Sequence, residues 1–251
     1  MLLVLLHHAE FPLGNYILAF HMPLFFVLTG YIEYKRDSIC NHGFGRFIKN
    51  KVLRLLVPYF CFEVINCVVF LCYNSMFGHA AIPTFGEIAY SILTCINTDA
   101  YTGISGRLWF LPCMFVSEVF VYLLLCALKK VEKYKKPNVA FLIVFMFFLS
   151  FLTTHVIKNR LPFTVDTAFF ATAFILIGYF FGKAIDYLVG DGHYAISGGI
   201  MFLALSGLYL TVRSGNASVL MYINCYGEYL SSIVAAVCGI IAFFIIGKWS
   251  Y

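Results

Sequence analysis

The chain is written as apolar runs of membrane-spanning length, broken by short polar stretches, and its lysines and arginines collect in every second break. A helix needs about 20 mostly apolar residues to cross a bilayer. Inside the bilayer every backbone amide must find its partner within the protein, which leaves helices and closed barrels as the only spanning structures. The runs are continuous and not alternating, so they read as helices. Composition agrees: 62% of residues are hydrophobic and 12% are charged. A soluble domain carries about 25% charged residues, so this chain cannot coat a water-facing surface.

The runs place spans at about Asn15–Tyr34, Leu55–Tyr73, from "LWFLPCMF" to near Leu128, and at about Asn138–Val156, Asp166–Leu188, Tyr194–Val212 and Glu228–Lys248. A first run, "MLLVLLHH", is too short to cross and reads as the second half of a helix; it lacks the basic start and cleavage site of a signal peptide. The expected fold is therefore an all-α polytopic bundle of about eight spans, the first of them partial, in a single membrane domain over residues 1–251. The segment "TFGEIAYSILTCI" is amphipathic and reads as a short helix lying along the outer membrane surface.

Thirteen basic residues fall on one side of this arrangement and four (Arg107, Lys158, Arg160 and Arg213) on the other. The positive-inside bias puts the basic loops 34–54 and 129–137 in the cytoplasm, with the protein in the plasma membrane. Because the charge follows topology and forms no basic face on a soluble fold, nucleic acid is excluded as a partner. The nine cysteines form no CxxC pair and lie mostly in apolar runs, which argues against a zinc site or a disulfide framework. No P-loop, GxSxG or HExxH motif is present, so nucleotide hydrolases, serine hydrolases and zinc proteases have nothing to rest on.

A few polar residues interrupt the apolar runs, and ionisable groups inside spans are functional by default. His8 ends the first run and His21 lies in the next, joined by the short turn "AEFPLGN". The two helices are then antiparallel neighbours, and both imidazoles could approach one pocket. A neutral imidazole can take a proton from a hydroxyl near pH 7. The plainer alternative is a histidine hydrogen-bonded between helices. In "KNKVLRLLVPYF", Lys51 and Arg54 stand three apart and would share a helix face. There they either clamp a phosphate or anchor the helix at the cytoplasmic interface.

Glu118 in "FVSEVF" and Glu63 in "CFEVIN" are mid-span carboxyls, each needing a pair, a proton or a wet cavity. Glu118 could orient a histidine, bind a sugar hydroxyl or serve as a structural hydrogen-bonding group. Asp166 is either a helix N-cap or a site residue, and Trp109 either an interfacial anchor or a stacking platform for a sugar ring.

The segments "LLVLLHHAEFPLGNYILAFHMPLFFVLTGY", "KVLRLLVPYF", "LWFLPCMFVSEV" and "LPFTVDTAFFATAFILIGYFFGK", in this order, resemble the acyltransferase family 3 membrane proteins. The likeness is nearest to the branch of fucose O-acetylase-like and other cell-surface sugar acetyltransferases, and it thins after Lys183. It implies transfer of an acetyl or other acyl group from cytoplasmic acyl-CoA to a hydroxyl of a surface glycan or lipid-linked sugar. The acyl-CoA would be the donor substrate, with no bound cofactor and no metal, since the thioester is already activated.

The family's first-span histidine, which closes a "VVLGH"-like segment, matches His8, with His7 where the glycine stands. Its paired basic residues match Lys51 and Arg54, the first a lysine where arginine is commoner. His8 would be the base with His21 as partner and Glu118 beside them; Trp109 and Asp166 would meet the acceptor. The resemblance also implies that the start of the first span and the last helices of the family pattern lie outside these residues. Two other readings fit the polar residues: a small-molecule carrier with midplane His and Glu, and an inactive remnant of an acyltransferase. Acyl-CoA and a sugar acceptor are thus the expected partners within the bilayer, and the sequence specifies no oligomeric state.

Overall fold

The computed structural model describes residues 13–36, 43–78, 84–95, 108–130, 137–157, 160–190, 194–215 and 217–249. Its elements, in chain order, are α1 (Gly14–Arg36), α2 (Phe44–Lys51), a π-helical turn (Val52–Leu56), α3 (Val57–Phe77), α4 (Phe85–Thr94) and α5 (Phe110–Lys130). After these come α6 (Pro137–Leu152), a second π-helical turn (Thr153–Ile157), a 3-10 turn (Pro162–Thr164), α7 (Val165–Phe180), α8 (Gly182–Val189) and α9 (Tyr194–Arg213). A small hairpin of β1 (Val219–Leu220) and β2 (Cys225–Tyr226) precedes α10 (Tyr229–Trp249). Among the described residues seven helical segments are long and apolar enough to cross a membrane, and they coincide with the expected spans after the first run. The partial first span and His8 lie outside the described residues.

Two boundaries differ from the sequence reading. The expected span Asp166–Leu188 is broken at Phe181, whose ψ of 13° leaves the helical region, and the chain restarts as the short α8. The glycine at 182 lets α8 lie against the Tyr34 ring, where a β-carbon would collide. The span expected at Leu55–Tyr73 is longer, running as one helical segment from Phe44 to Phe77. The π-helical turn inside it directly precedes Pro58, which lacks an N–H and whose ring crowds the carbonyl four residues back. A wider turn relieves that crowding without ending the helix.

The chain forms two compact units. One comprises Met1–Asp37, Pro137–Phe145 and Ala173–Tyr251, the other Ser38–Lys136 and Met146–Thr172. In the first, α1 packs on α10, with Gly239 making room for the Phe20 ring, and α9 packs on α10 at Gly207 and Cys238. The closest approach joins α1 to the second half of α7. A β-carbon on Gly30 would run into the Ile175 carbonyl, and one on Gly178 into the Val27 carbonyl. Paired small residues of this kind let helices in lipid meet backbone to backbone.

At the end of α1 the Tyr31 hydroxyl donates to Asp186 Oδ1 at 2.6 Å, and Lys35 Nζ meets the same oxygen at 2.7 Å. Hydrogen bonding from Lys35, and then from Tyr31, holds the Asp186 carboxyl below the usual carboxylate range. The hairpin pairs Val219 with Tyr226, and the Ser232 hydroxyl donates to the Ser218 carbonyl at 3.1 Å, tying it to the first turns of α10.

In the second unit, α5 packs on the start of α7 through the stacked rings of Phe120 and Phe169 and through the Ser117 hydroxyl, 3.3 Å from the Ala168 carbonyl. The predicted amphipathic segment forms α4, which starts with a capping box. The Glu87 N–H donates to the Thr84 hydroxyl at 3.3 Å, and the Thr84 N–H donates to the Glu87 carboxylate at 2.7 Å.

Candidate functional site

Within the second unit, the short helix α2 lays Phe44 and Phe47 on Tyr122 of α5, at ring-centroid distances of 5.5 and 4.4 Å. That contact sets the depth of the last residue of α2, Lys51, one turn beyond Phe47. Glu118 stands one turn before Tyr122 on the same face of α5. Lys51 Nζ meets Glu118 Oε1 at 2.7 Å, with the two side chains 17% and 11% exposed. The ammonium also lies 5.5 Å from the centroid of the Phe47 ring. A mid-span carboxylate thus finds its counter-charge near the start of the preceding long helical segment, beside an aromatic ring that limits water's access and strengthens the pair.

Three residues on from Lys51, Arg54 is exposed. The π-helical turn that begins after Lys51 widens the helix, so the three-residue spacing that aligns side chains on an α-helix does not apply across it. Lys51 turns inward to Glu118, while Arg46, Lys49 and Arg54 are exposed. Arg46 and Lys49 carry an anion-attracting charge that the sequence showed only as loop composition; their place on an amphipathic helix was the signal available.

Asp166 begins α7 and is fully buried. Its Oδ2 lies 2.7 Å from Arg160 Nε, an ion pair between the segment leading into α7 and the helix's first turn. Phe163 and Thr164, between them in sequence, both have left-handed backbone, at φ 56° and 54°. Neither is a glycine, so each costs of order 1 kcal/mol or more, and such strain persists only where the surroundings over-determine it. The Thr153 hydroxyl, 3.4 Å from the Asp166 carbonyl, adds to that fixing. Trp109 stands in the turn before α5, half-buried and edge-on to Phe110. Arg160, the partner of Asp166, was counted in the sequence only as a topology charge.

His21 belongs to the first unit. It is buried in α1, and its Nδ1 lies 2.9 Å from the Ile17 carbonyl. A carbonyl only accepts, so Nδ1 carries the proton and Nε2 carries the lone pair of the neutral ring. That is the tautomer a base needs, fixed by its own helix. Pro23 sits two residues on without ending the helix.

The structure therefore joins Lys51 to Glu118 and Asp166 to Arg160, and keeps Arg54 exposed. Among the described residues no three His, Cys, Asp or Glu side chains converge as a metal ion requires. No curated protein and no solved structure matches the chain. The comparison with protein families does find a match, to the acyltransferase domain of acyltransferase family 3, and it spans residues 1–251. With seven long apolar helices and that domain over its whole length, the chain is an integral membrane protein that belongs to acyltransferase family 3.

Proposed function

We propose that this protein is an O-acyltransferase of the plasma membrane that moves an acetyl or other acyl group from cytoplasmic acyl-CoA to a hydroxyl. The acceptor is a cell-surface glycan or a lipid-linked sugar, as in the fucose O-acetylase-like branch. The observation that carries the reading is the buried His21, whose Nδ1–H is committed to the Ile17 carbonyl, in a chain of an acyltransferase family.

The basic loops 34–54 and 129–137 face the cytoplasm, as the positive-inside bias directs. The exposed Arg54, with Arg46 and Lys49 nearby in sequence, draws in the donor's phosphates. Lys51, held by Glu118, supplies positive charge behind them. His8, which lies outside the described residues, takes the proton of the acceptor hydroxyl, with His21 as its partner. The alkoxide adds to the thioester carbonyl, the tetrahedral adduct expels the CoA thiolate, and the imidazolium returns the proton to sulfur. Trp109 and Asp166 face the acceptor in this scheme.

The test is glycan analysis of cells expressing a His8→Ala or His21→Ala variant at wild-type level. O-acylation lost from both supports the scheme, and unchanged O-acylation refutes the base assignment. Thioester cleavage in membranes separates the enzyme from a carrier: substrate counterflow without acyl-CoA consumption would overturn the enzymatic reading.

A further inference from the structure

One buried carboxyl takes no part in that scheme. Glu63 on α3 is 0% exposed, and among the described residues neither of its oxygens meets a hydrogen-bond partner. Buried polar groups are almost always hydrogen-bonded, so a carboxyl serving only to hold two helices together would show its bond. Ser91 on α4, 2% exposed, likewise has no hydrogen-bond partner for its hydroxyl among the described residues.

The two belong to facing surfaces. Tyr59 and Glu63 are four apart on α3 and share a helix face, and Ser91 precedes Ile92 on α4. The Tyr59 hydroxyl donates to the Ile92 carbonyl at 3.3 Å and locks the two faces together. The Glu63 carboxyl lies close enough to the Cys95 thiol to act on it electrostatically. Cys95 closes α4 in the left-handed region at φ 56°, a conformation unusual for a non-glycine residue.

We propose that Glu63 and Ser91 form the subsite that holds the acceptor sugar, each bonding one of its hydroxyls. A sugar hydroxyl both donates and accepts, so it can satisfy a carboxyl oxygen and a serine hydroxyl together. The assignment rests on the reading of the chain as an O-acyltransferase. Burial pushes the Cys95 thiol up to about 11, so it stays protonated near neutral pH. The thiolate is the nucleophilic form, so burial holds this thiol in its less reactive state. Twelve residues of helix separate Glu63 from Lys51, about 18 Å at 1.5 Å per residue. The acceptor subsite is thus well removed from the Lys51–Glu118 pair.

The experiment uses the full chain in lipid nanodiscs with a hydrophobic carbodiimide, which adds to carboxylic acids in apolar surroundings; the adduct on the Glu63 peptide is read by mass spectrometry. Two sets of probes are offered: water-soluble methyl glycosides and long-chain alkyl glycosides. Labelling that falls at least fivefold with either set supports the subsite. Protection by both identifies a free glycan end, and protection by the alkyl glycosides alone a lipid-linked sugar. Absent labelling, or labelling that no glycoside reduces, overturns it.

In the matched kinetic arm, Glu63→Gln and Ser91→Ala raise KM for the protecting glycoside at least tenfold and leave KM for acetyl-CoA within twofold. Equal loss on both substrates would mark a structural role and overturn the proposal. If the wild type cleaves no acetyl-CoA, the enzymatic reading fails, while the labelling arm still decides whether Glu63 binds a sugar.

Discussion

Replacing Lys51 by Met leaves the Glu118 carboxylate with its counter-charge gone, and Glu118→Gln leaves the Lys51 ammonium in the same position. At 2.7 Å, two unit charges attract by about 6 kcal/mol at an effective dielectric constant of 20. Desolvating both groups takes back much of that, so the net worth of the pair is far smaller than its attraction. The cost of stranding one partner is larger: about 3 kcal/mol for a well-buried pair, discounted slightly because these side chains keep 17% and 11% of their exposure. A chain of this size loses about 2–4 °C of melting temperature per kcal/mol, so each single variant should melt roughly 5–10 °C lower.

The double variant removes both charges and should recover at least half of that loss, a coupling of roughly 4 kcal/mol. Thermal unfolding of the purified protein, followed by tryptophan fluorescence, measures all four corners of the cycle. A double variant whose loss equals the sum of the two single losses would refute the pairing. Acyl transfer measured on the same four proteins separates function from folding: a double variant that regains stability but not turnover shows that the Lys51 charge itself is used.

Four other outcomes follow from the geometry. His21→Phe should cut acyl transfer about 100-fold or more, the usual contribution of a positioned acid–base group, while lowering stability by only about 1 kcal/mol. A radiolabelled acyl transfer assay beside a melting curve reads both. Gly178→Val should cost at least the 1–3 kcal/mol typical of overpacking, because its β-carbon meets the Val27 carbonyl and not a flexible side chain; loss of the monodisperse peak in detergent checks it. Asp186→Asn should destabilise the protein at pH 7, and the deficit should shrink as pH falls. The folded-state carboxyl lies below its unfolded value near 3.9, so its contribution is complete above that value and lost as pH drops through the folded one; melting curves from pH 3 to 7 report it. Thr84→Ala breaks the capping box and should cost α4 about 1 kcal/mol, visible as faster amide exchange over residues 85–88.

Spans were legible because hydropathy and basic-residue alternation are properties of local sequence, and lipid leaves helices few alternatives. The break at Phe181 was not legible: "IGYFFGKAIDYL" stays apolar enough to read on, and what ends the helix is the seating of Gly182 against Tyr34. Individual polar residues stood out by being costly in lipid, which is how Glu118, Asp166 and His21 came to notice. Their partners did not stand out, since Lys51–Glu118 joins residues 67 positions apart, and Arg160 looked like an ordinary loop charge. The α-helical spacing argument for Lys51 and Arg54 assumed 3.6 residues per turn, and the π-helical turn before Pro58 changes the pitch between them. Glu63 was visible as an anomaly, but only the structure shows that it and Ser91 lack a hydrogen-bond partner among the described residues.

The seating of Gly30 on the Ile175 carbonyl and of Gly178 on the Val27 carbonyl has a mechanical meaning for the histidine on the same helix. Where two backbones touch at a carbonyl and an α-carbon, neither helix can turn about its own axis without forcing a β-carbon or a carbonyl through the other. The helix carrying His21 and the second half of α7 therefore behave as one rod, and any motion that reaches the imidazole must carry both. A working cycle built on this chain would keep the ring's orientation constant and vary what is brought to it.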